Sequence, residues 1–468
     1  MKIKAITRTV ETEFASGIHS QATGSGKSLV ALKIIDEYNK KNPKEHILWT
    51  CERKDIPQKL FFHTKNNRIV LNDDQFEIWK YNDMIDMSKF TIKEYVYNKS
   101  KNWIKEINTH KNEDKPLFII INRAFLTTKS KINKYKYEDI KKYAGLVILD
   151  ECNSSMACDT YQMLLYFKYN WKAKIQGFSA TPYRKGKSHT KVDIEINYPE
   201  ENEDKIVVVE NEKKLIQIFC KHDDENELNI LSRFNMKEAI EKNIILEPVF
   251  HWHCVNNENN ETINNTYDTT EIDSVMTTLD EIITKCRYKK GIAWCRLMST
   301  TEEWFVAFEK EKTKYENLKN LKTFIDHSNM KNNDVNYDKF YETSNNAIMF
   351  CASKFREGSD IPNLNFGIFL DKVKKRGGLP FIQCIGRVLR TDKNNEKKNG
   401  HIMDSYTLDN DKNIIKSIIK KIIKYYSNLY EYAKFDDEDR IILYGNIMKT
   451  LKIKPNENEI IIELDNDK

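Results

Sequence analysis

Two short segments carry the residues best suited to chemistry. Ala22-Thr23-Gly24-Ser25-Gly26-Lys27-Ser28 follows a short apolar run and opens a segment of helical period. Backbone N–H groups at such a helix start point at phosphate oxygens, and glycine lets the backbone approach closely. Lys27 would then reach the β- and γ-phosphates of a nucleoside triphosphate, with the Ser28 hydroxyl on Mg²⁺. The strict pattern wants glycine where this chain has Gln21. The second segment is Asp150-Glu151, directly after the apolar run Leu146-Val147-Ile148-Leu149. The carboxyl end of a buried strand is where α/β sheets place their ligands. There Asp150 would hold Mg²⁺ through water, and Glu151 would polarise an attacking water as general base. An acidic pair at a strand end is often only a cap or turn. Its position downstream of a phosphate loop favours the hydrolysis of ATP.

The elements that must position these residues can be read from periodicity. Glycine is scarce, 14 residues in 468, and Gly24, Gly26, Gly177, Gly358 and Gly386 all end apolar runs abruptly. In the first half β-rich runs at Ile47–Cys51, Leu117–Ile121, Leu146–Leu149 and Ile175–Phe178 alternate with helical periods. This alternation predicts a parallel sheet covered by helices. The stretch from Arg53 to Pro116 is less regular and reads as elaboration on that sheet. Charge rises and periodicity weakens from Glu201 to Arg233, which puts a domain boundary near residue 233. Strands then resume at Val249–Val255, Gly291–Cys295, Thr323–Asp326, Ala347–Cys351 and Phe366–Leu370. An amphipathic stretch, Ile414 to Tyr432, closes the pattern and predicts a packing helix. The organisation expected is therefore residues 1–233, residues 234–410 and a helical extension over 411–468.

Composition narrows the class. Hydrophobic residues make up 40% and charged residues 31%, enough for buried cores and unlike a disordered chain. No long uncharged apolar run or signal-type N-terminus directs the chain to a membrane. Nine scattered cysteines suit reduced thiols in an intracellular setting, cytoplasmic or nuclear. Net charge is only +6, from 76 basic and 70 acidic residues, so overall charge barely favours a polyanion. The lysine-rich run Lys129 to Lys142 reads as a solvated face. His251, His253 and Cys254 look like clustered zinc ligands, but in a strand His251 and His253 point opposite to Cys254 and cannot simply converge with it.

Taken in order, the motifs resemble those of superfamily-two helicases over most of the chain. Gln21 to Ser28 resembles motif I, and Asp150-Glu151-Cys152-Asn153 resembles the DEAD/DEAH-type motif II. Ser179-Ala180-Thr181 resembles motif III, Glu357-Gly358-Ser359-Asp360-Ile361-Pro362 motif V, and Gln383-Cys384-Ile385-Gly386-Arg387-Val388-Leu389-Arg390 motif VI. Lys237 to Pro248 is similar to the lead-in of DExH translocases such as restriction-enzyme motor subunits and certain large-virus helicases. The resemblance implies an α/β fold of two RecA-like domains, each a mainly parallel sheet flanked by helices, with ATP and Mg²⁺ at the cleft between them. It implies that Ser179 and Thr181 couple nucleotide state to strand movement, and that Gln383 senses the γ-phosphate. Gly358 is implied at the nucleotide, and Asp360 at the ribose or in coupling to the strand. Arg387 and Arg390 resemble arginine fingers; spaced three apart on a helix, they would share one face.

The resemblance further implies a nucleic-acid track contacted mainly at phosphates, through motif V and Trp294 to Ser299, with DNA preferred over RNA. Departures from the family have consequences of their own. Asn153 stands where the family has Asp or His, which predicts weakened coupling to Gln383. No upstream glutamine motif is visible, and the usual leading helix is expected to be missing, which predicts low nucleotide affinity. Those departures keep open a nucleotide-gated clamp that grips nucleic acid and hydrolyses little. A P-loop phosphotransferase or metabolic ATPase is disfavoured, because such an enzyme needs no motifs V and VI in a second domain.

Overall fold

A computed structural model of the chain describes residues 2–51, 63–65, 68–70, 85–95, 102–111, 115–128, 134–152, 157–180, 187–192, 205–220, 226–255, 269–327, 333–352, 361–371, 378–392 and 396–407. Its contacts separate into two units, Met1–Phe234 and Asn235–Lys468. The amphipathic stretch Ile414 to Tyr432 lies outside the described residues.

The first unit contains β1 (Gly17–Gln21), β2 (His46–Cys51), β3 (His63–Lys65), β4 (Arg68–Val70), β5 (Thr91–Tyr95), β6 (Leu117–Asn122), β7 (Ala144–Asp150), β8 (Lys174–Ser179), β9 (Lys187–Val192), β10 (Lys205–Glu210) and β11 (Ile230–Phe234). Seven of these form one sheet in the order β11-β1-β8-β7-β2-β6-β5, and every neighbouring pair is parallel. The helices are α1 (Lys2–Glu11), α2 (Lys27–Lys41), α3 (Trp103–Asn108), α4 (Arg123–Thr127), α5 (Cys158–Tyr169) and α6 (Asn211–Phe219).

The continuous apolar run in β7 fits a strand buried on both faces. Its side chains divide by parity, as the two-residue period requires. Leu146 and Ile148 join Val30, Leu32, Ile34 and Ile35 of α2 in one core cluster. Val147 and Leu149 join Leu164 and Phe167 of α5 in the other. Fully burying each such side chain contributes about 1.5–3 kcal/mol, so β7 anchors both layers and holds its last residue, Asp150, rigidly.

The second unit has β12 (Glu247–Val255), β13 (Lys290–Cys295), β14 (Lys322–Asp326), β15 (Ala347–Ala352), β16 (Phe366–Phe369) and β17 (Asn399–Thr407) in one sheet ordered β12-β17-β16-β13-β15-β14, again wholly parallel. Helices α7 (Met236–Glu241), α8 (Thr269–Lys285), α9 (Met298–Glu311), α10 (Asn333–Glu342) and α11 (Gly378–Val388) accompany it. The lead-in helix α7 starts where it does because Asn235 and Glu238 form a reciprocal capping box, with Glu238 N–H donating to Asn235 Oδ1 at 2.8 Å and Asn235 N–H to Glu238 Oε2 at 3.0 Å. Two helix-flanked parallel sheets are the pair of RecA-like folds that the motif order implies.

Three readings of the sequence change. The leading helix is present: α1 precedes β1, and its Ala5 packs with α2 residues in one core cluster. The segment before residue 233 is not weakly structured throughout, since β10, α6 and β11 occupy it and β11 pairs with β1. Strands β1, β5 and β17 also escape the periodic reading. Their polar residues, such as His19 and Ser20 or Asp404 and Ser405, hide a burial that is nearly complete at those four positions.

Candidate functional site

The phosphate loop leaves the carboxyl end of β1. Ala22 N–H is tied to Phe234 O at 2.7 Å, and Ser25 N–H to Ala22 O at 3.2 Å, which closes a tight loop. Gly24 has φ 83° and Gly26 φ 89°, both left-handed, so a side chain at either would be strained. Gly26 is the N-cap of α2 and supplies no side-chain cap, and the first turn of that helix holds no acidic residue. Its leading N–H groups and positive dipole end therefore suit an anion. Lys27 Nζ arches back to Gln21 O at 3.4 Å. Ser28 and Gly26 are half-buried, Thr23 is buried, and the buried Ser25 Oγ has no hydrogen-bond partner among the described residues.

Gln21, where the strict pattern has glycine, needs no glycine backbone. It ends β1, registered with Phe234, and does not take a left-handed backbone. Its Nε2 donates to Ser232 Oγ at 3.1 Å, and that hydroxyl lies 2.8 Å from His19 Nδ1. His19 Nε2 meets Gln176 Oε1 at 2.9 Å, and Gln176 Nε2 donates to Phe14 O and Ala15 O. Because Gln176 Oε1 can only accept, His19 carries its proton on Nε2 and accepts from Ser232 at Nδ1. The ring stacks on Phe178 at 4.6 Å, and burial pulls its pKa down to about 4 against the raising effect of the Gln176 bond. Sequence reasoning passed over this network. The available signal was a His-x-Gln alternation inside an otherwise buried strand.

Parallel register aligns the other predicted residues with the loop. Ser20 pairs with Ser179 across β1 and β8, and Asp150 pairs with Phe178 across β7 and β8. Neighbouring strands lie about 4.8 Å apart, so β1 and β7, separated by β8, are about 10 Å apart. The phosphate loop, Ser179 and Asp150 thus share one sheet edge, the carboxyl edge. Asp150 is buried, and its Oδ1 accepts Glu151 N–H at 3.1 Å. Glu151 itself has φ 50°, a left-handed backbone unusual for a residue with a side chain. That turn takes the chain sharply out of the strand and leaves Glu151 half-buried. No glycine announces it in the sequence. Cys152 behind it is fully buried, and burial followed by the charges of Glu151 and Asp150 pushes its thiol pKa well up. Gly177 lies under it: a Cβ there would come within 3.0 Å of Cys152 Cβ and Phe219. Thr181 and Asn153 lie outside the described residues.

In the second unit Gln383 and Arg387 are buried residues of α11. Arg390 corrects the expectation of a shared helical face. Helix α11 ends at Val388, and Arg390 sits beyond it in an isolated bridge with Ile245, while Leu389 O accepts Leu246 N–H at 2.7 Å. The lead-in segment thus meets the chain just past its last helical bond, Leu389 N–H to Ile385 O at 2.9 Å. Gly358 and Asp360 lie outside the described residues. Trp294 and Cys295 are fully buried in β13, so of the expected strand-facing segment only Arg296 to Ser299 are accessible. His251 Nε2 lies 3.0 Å from His401 Nδ1, and burial with the neighbouring His401 draws its pKa down to about 3. In the described part of the lysine-rich run, Tyr137 and Ile140 are buried, Lys134 and Lys141 exposed, and Lys136 and Lys142 half-buried.

Residues 1–184 match the family model described as Type III restriction enzyme, res subunit. That match, which spans the phosphate loop and the acidic pair, together with the two parallel sheets places the fold among the superfamily-two helicases. Among solved structures, the ATP-dependent Type ISP restriction-modification enzyme LlaBIII bound to DNA is similar at 13% identity and a TM-score of 0.58, covering 94% of this chain and 30% of that one. The DEAD-box helicase Mss116 bound to ssRNA and UDP-BeF is similar at 14% identity and a TM-score of 0.52, covering 97% and 82%. A fragment of a putative HsdR subunit of a type I restriction enzyme from Vibrio vulnificus YJ016 follows at 15% identity and 0.48, covering 86% and 62%. The chain thus spans less than a third of the Type ISP enzyme. No curated protein matches the sequence at a significant level. Among the described residues no helix is long and apolar enough to cross a membrane.

Proposed function

We propose that this chain is an ATP-driven helicase or translocase that hydrolyses ATP and moves on nucleic acid, with DNA as its track. The observation that carries the reading is the carboxyl edge of the first sheet. There an uncapped helix start with two left-handed glycines lies two strands from an acidic pair whose second member is turned out of its strand. The residues suit a magnesium nucleotide: no carboxylate stands in the first turn of α2 to repel phosphate, and hydroxyl and carboxylate oxygens are supplied from separate strand ends. Thr23 to Ser28 bind the phosphates through backbone N–H groups and Lys27. Ser28 and Asp150 would hold Mg²⁺, which would supply neutralisation of the phosphate charge. Glu151 takes the proton of the attacking water. Gln383, Arg387 and Arg390 act on the γ-phosphate as negative charge develops there. Ser179 and Thr181 transmit the nucleotide state to the track, and Gly358 and Asp360 belong to the nucleotide site of the second unit.

The likeness of the lead-in and motif VI to DNA translocases supports DNA as the track. The test is steady-state ATP hydrolysis by the purified chain with single-stranded DNA, single-stranded RNA or neither, beside Glu151→Gln. Hydrolysis raised by DNA and lost in the variant is the expected result. Stimulation by RNA alone would reassign the track. Absence of stimulation, with the variant equal to the parent, would replace the motor by a nucleotide-gated clamp.

A further inference from the structure

Lys397 is a lysine that the sequence gives no reason to single out, yet it is 3% exposed. Its Nζ donates to three backbone carbonyls: Leu364 O at 2.6 Å, Arg390 O at 3.0 Å, and Val388 O. An ammonium has three protons, and here all three have acceptors. Those acceptors come from two places. Val388 is the last residue of α11 and Arg390 lies just beyond it, so two of the bonds grip the segment bearing Arg387 and Arg390. Leu364 lies two residues past motif V, at the entrance to β16. The lysine is itself anchored, because its N–H donates to Asp392 Oδ1 at 3.0 Å while Tyr288 OH donates to Asp392 Oδ2 at 2.9 Å.

This arrangement is costly. Burying an ammonium against neutral carbonyls forfeits its hydration, and burial draws the Lys397 pKa down to about 7, with Cys286 and Asp392 pulling it up and Arg390 pushing it down. The chain beyond a helix end needs no such device, since water or a glycine cap satisfies ordinary carbonyls. What the lysine supplies is a fixed distance between the end of motif VI and the chain leaving motif V. The positive charge also complements the carboxyl end of α11.

We propose that Lys397 is a positioning residue for hydrolysis, holding the Arg387 and Arg390 segment in register with the chain that follows motif V. This rests on the reading above, in which Arg387 acts on the γ-phosphate. A guanidinium displaced by about 1 Å loses on the order of 10²-fold in rate while ground-state binding is little affected.

The test uses the full chain and saturating nucleic acid, with Lys397→Met, Arg387→Ala, the double variant and Glu151→Gln. Lys397→Met is expected to lower kcat on the order of 10²-fold and to leave the KM for ATP within about threefold. In the Arg387→Ala background the same substitution should lower kcat by much less than in the parent, because one of the two arginines it positions is gone. Parental kcat in Lys397→Met, or an equal further loss in the double variant, overturns the proposal while an inactive Glu151→Gln leaves the motor reading intact. An active Glu151→Gln, or a parent that hydrolyses no ATP, overturns both. Should thermal melting show that Lys397→Met does not fold, Asp392→Asn loosens the same anchor with the lysine retained. It should reproduce a smaller loss in kcat with the same non-additivity, and independent losses would refute the coupling.

Discussion

Gly26→Ala separates the two things the phosphate loop must do, hold its own shape and bind phosphate. At φ 89° and ψ 38° residue 26 is left-handed, and an alanine held there costs about 1–2 kcal/mol. The cost must appear somewhere. If the loop keeps its conformation without nucleotide, the strain lowers the stability of the first unit by that amount. If the loop relaxes, the first-turn N–H groups of α2 turn away, and nucleotide binding must restore them. The apparent Kd then rises about 5–30-fold, the equivalent of 1–2 kcal/mol. Titration with a fluorescent ATP analogue reads the second quantity, and thermal melting without nucleotide reads the first. Gly26→Asn is the control, because asparagine tolerates the left-handed region where alanine does not, and it should recover much of either loss. If alanine matches the parent in both affinity and melting, or if alanine and asparagine are equally impaired, the backbone argument is wrong and the loop works by some other means.

Other outcomes follow from the same geometry. His19 is buried and neutral with its pKa drawn down to about 4 from 6.5, so the unfolded chain binds a proton between those values that the folded chain does not. Its contribution is present above pH 6.5 and lost as pH falls toward 4, about 2 kcal/mol of it by pH 5. Denaturation midpoints of the parent and His19→Phe at pH 7 and pH 5 should converge as the pH falls, and parallel trends would contradict a neutral buried ring. Gly177→Ala places a methyl 3.0 Å from Cys152 Cβ and from Phe219, which should destabilise the first unit by about 1–3 kcal/mol and shift Glu151. A fully active variant with parental melting would show that the wall behind Glu151 yields freely.

What was legible in the sequence was whatever depends on backbone need or on long apolar runs. Gly24 and Gly26 are glycines because the loop is left-handed there, and β7 announces itself by an unbroken apolar stretch. What was not legible depends on partners distant in sequence. The β1 residues His19 and Ser20 look polar and exposed until Gln176 and Ser232 are brought beside the histidine. Likewise β17 seems too polar for a central strand, yet Asp404 and Ser405 are buried beside Trp252 and His253 of β12. Arg390 was placed on a helix because spacing of three suggests a shared face. The helix ends before Arg390, where Leu246, about 140 residues earlier in the chain, donates its N–H to the Leu389 carbonyl and Ile245 pairs with Arg390.

Gln21 and Glu151 together say something about how such motifs tolerate change. At residue 21 the usual pattern has glycine, but the backbone here is ordinary strand, so the side chain is free to join the Ser232 and His19 chain and brace the loop from below. At residue 151 the backbone is left-handed although the residue is not glycine. Glycine would remove the strain, but it would also remove the carboxylate that the proposed mechanism uses to polarise water. The strain thus sits where the proposed chemistry needs the side chain, and it is held by the Asp150 Oδ1 bond to the Glu151 N–H and by Cys152 packed on Gly177. Conformity at Gly24 and Gly26, departure at Gln21 and strain at Glu151 thus have one cause, the backbone angle each position must adopt weighed against the side chain it must carry.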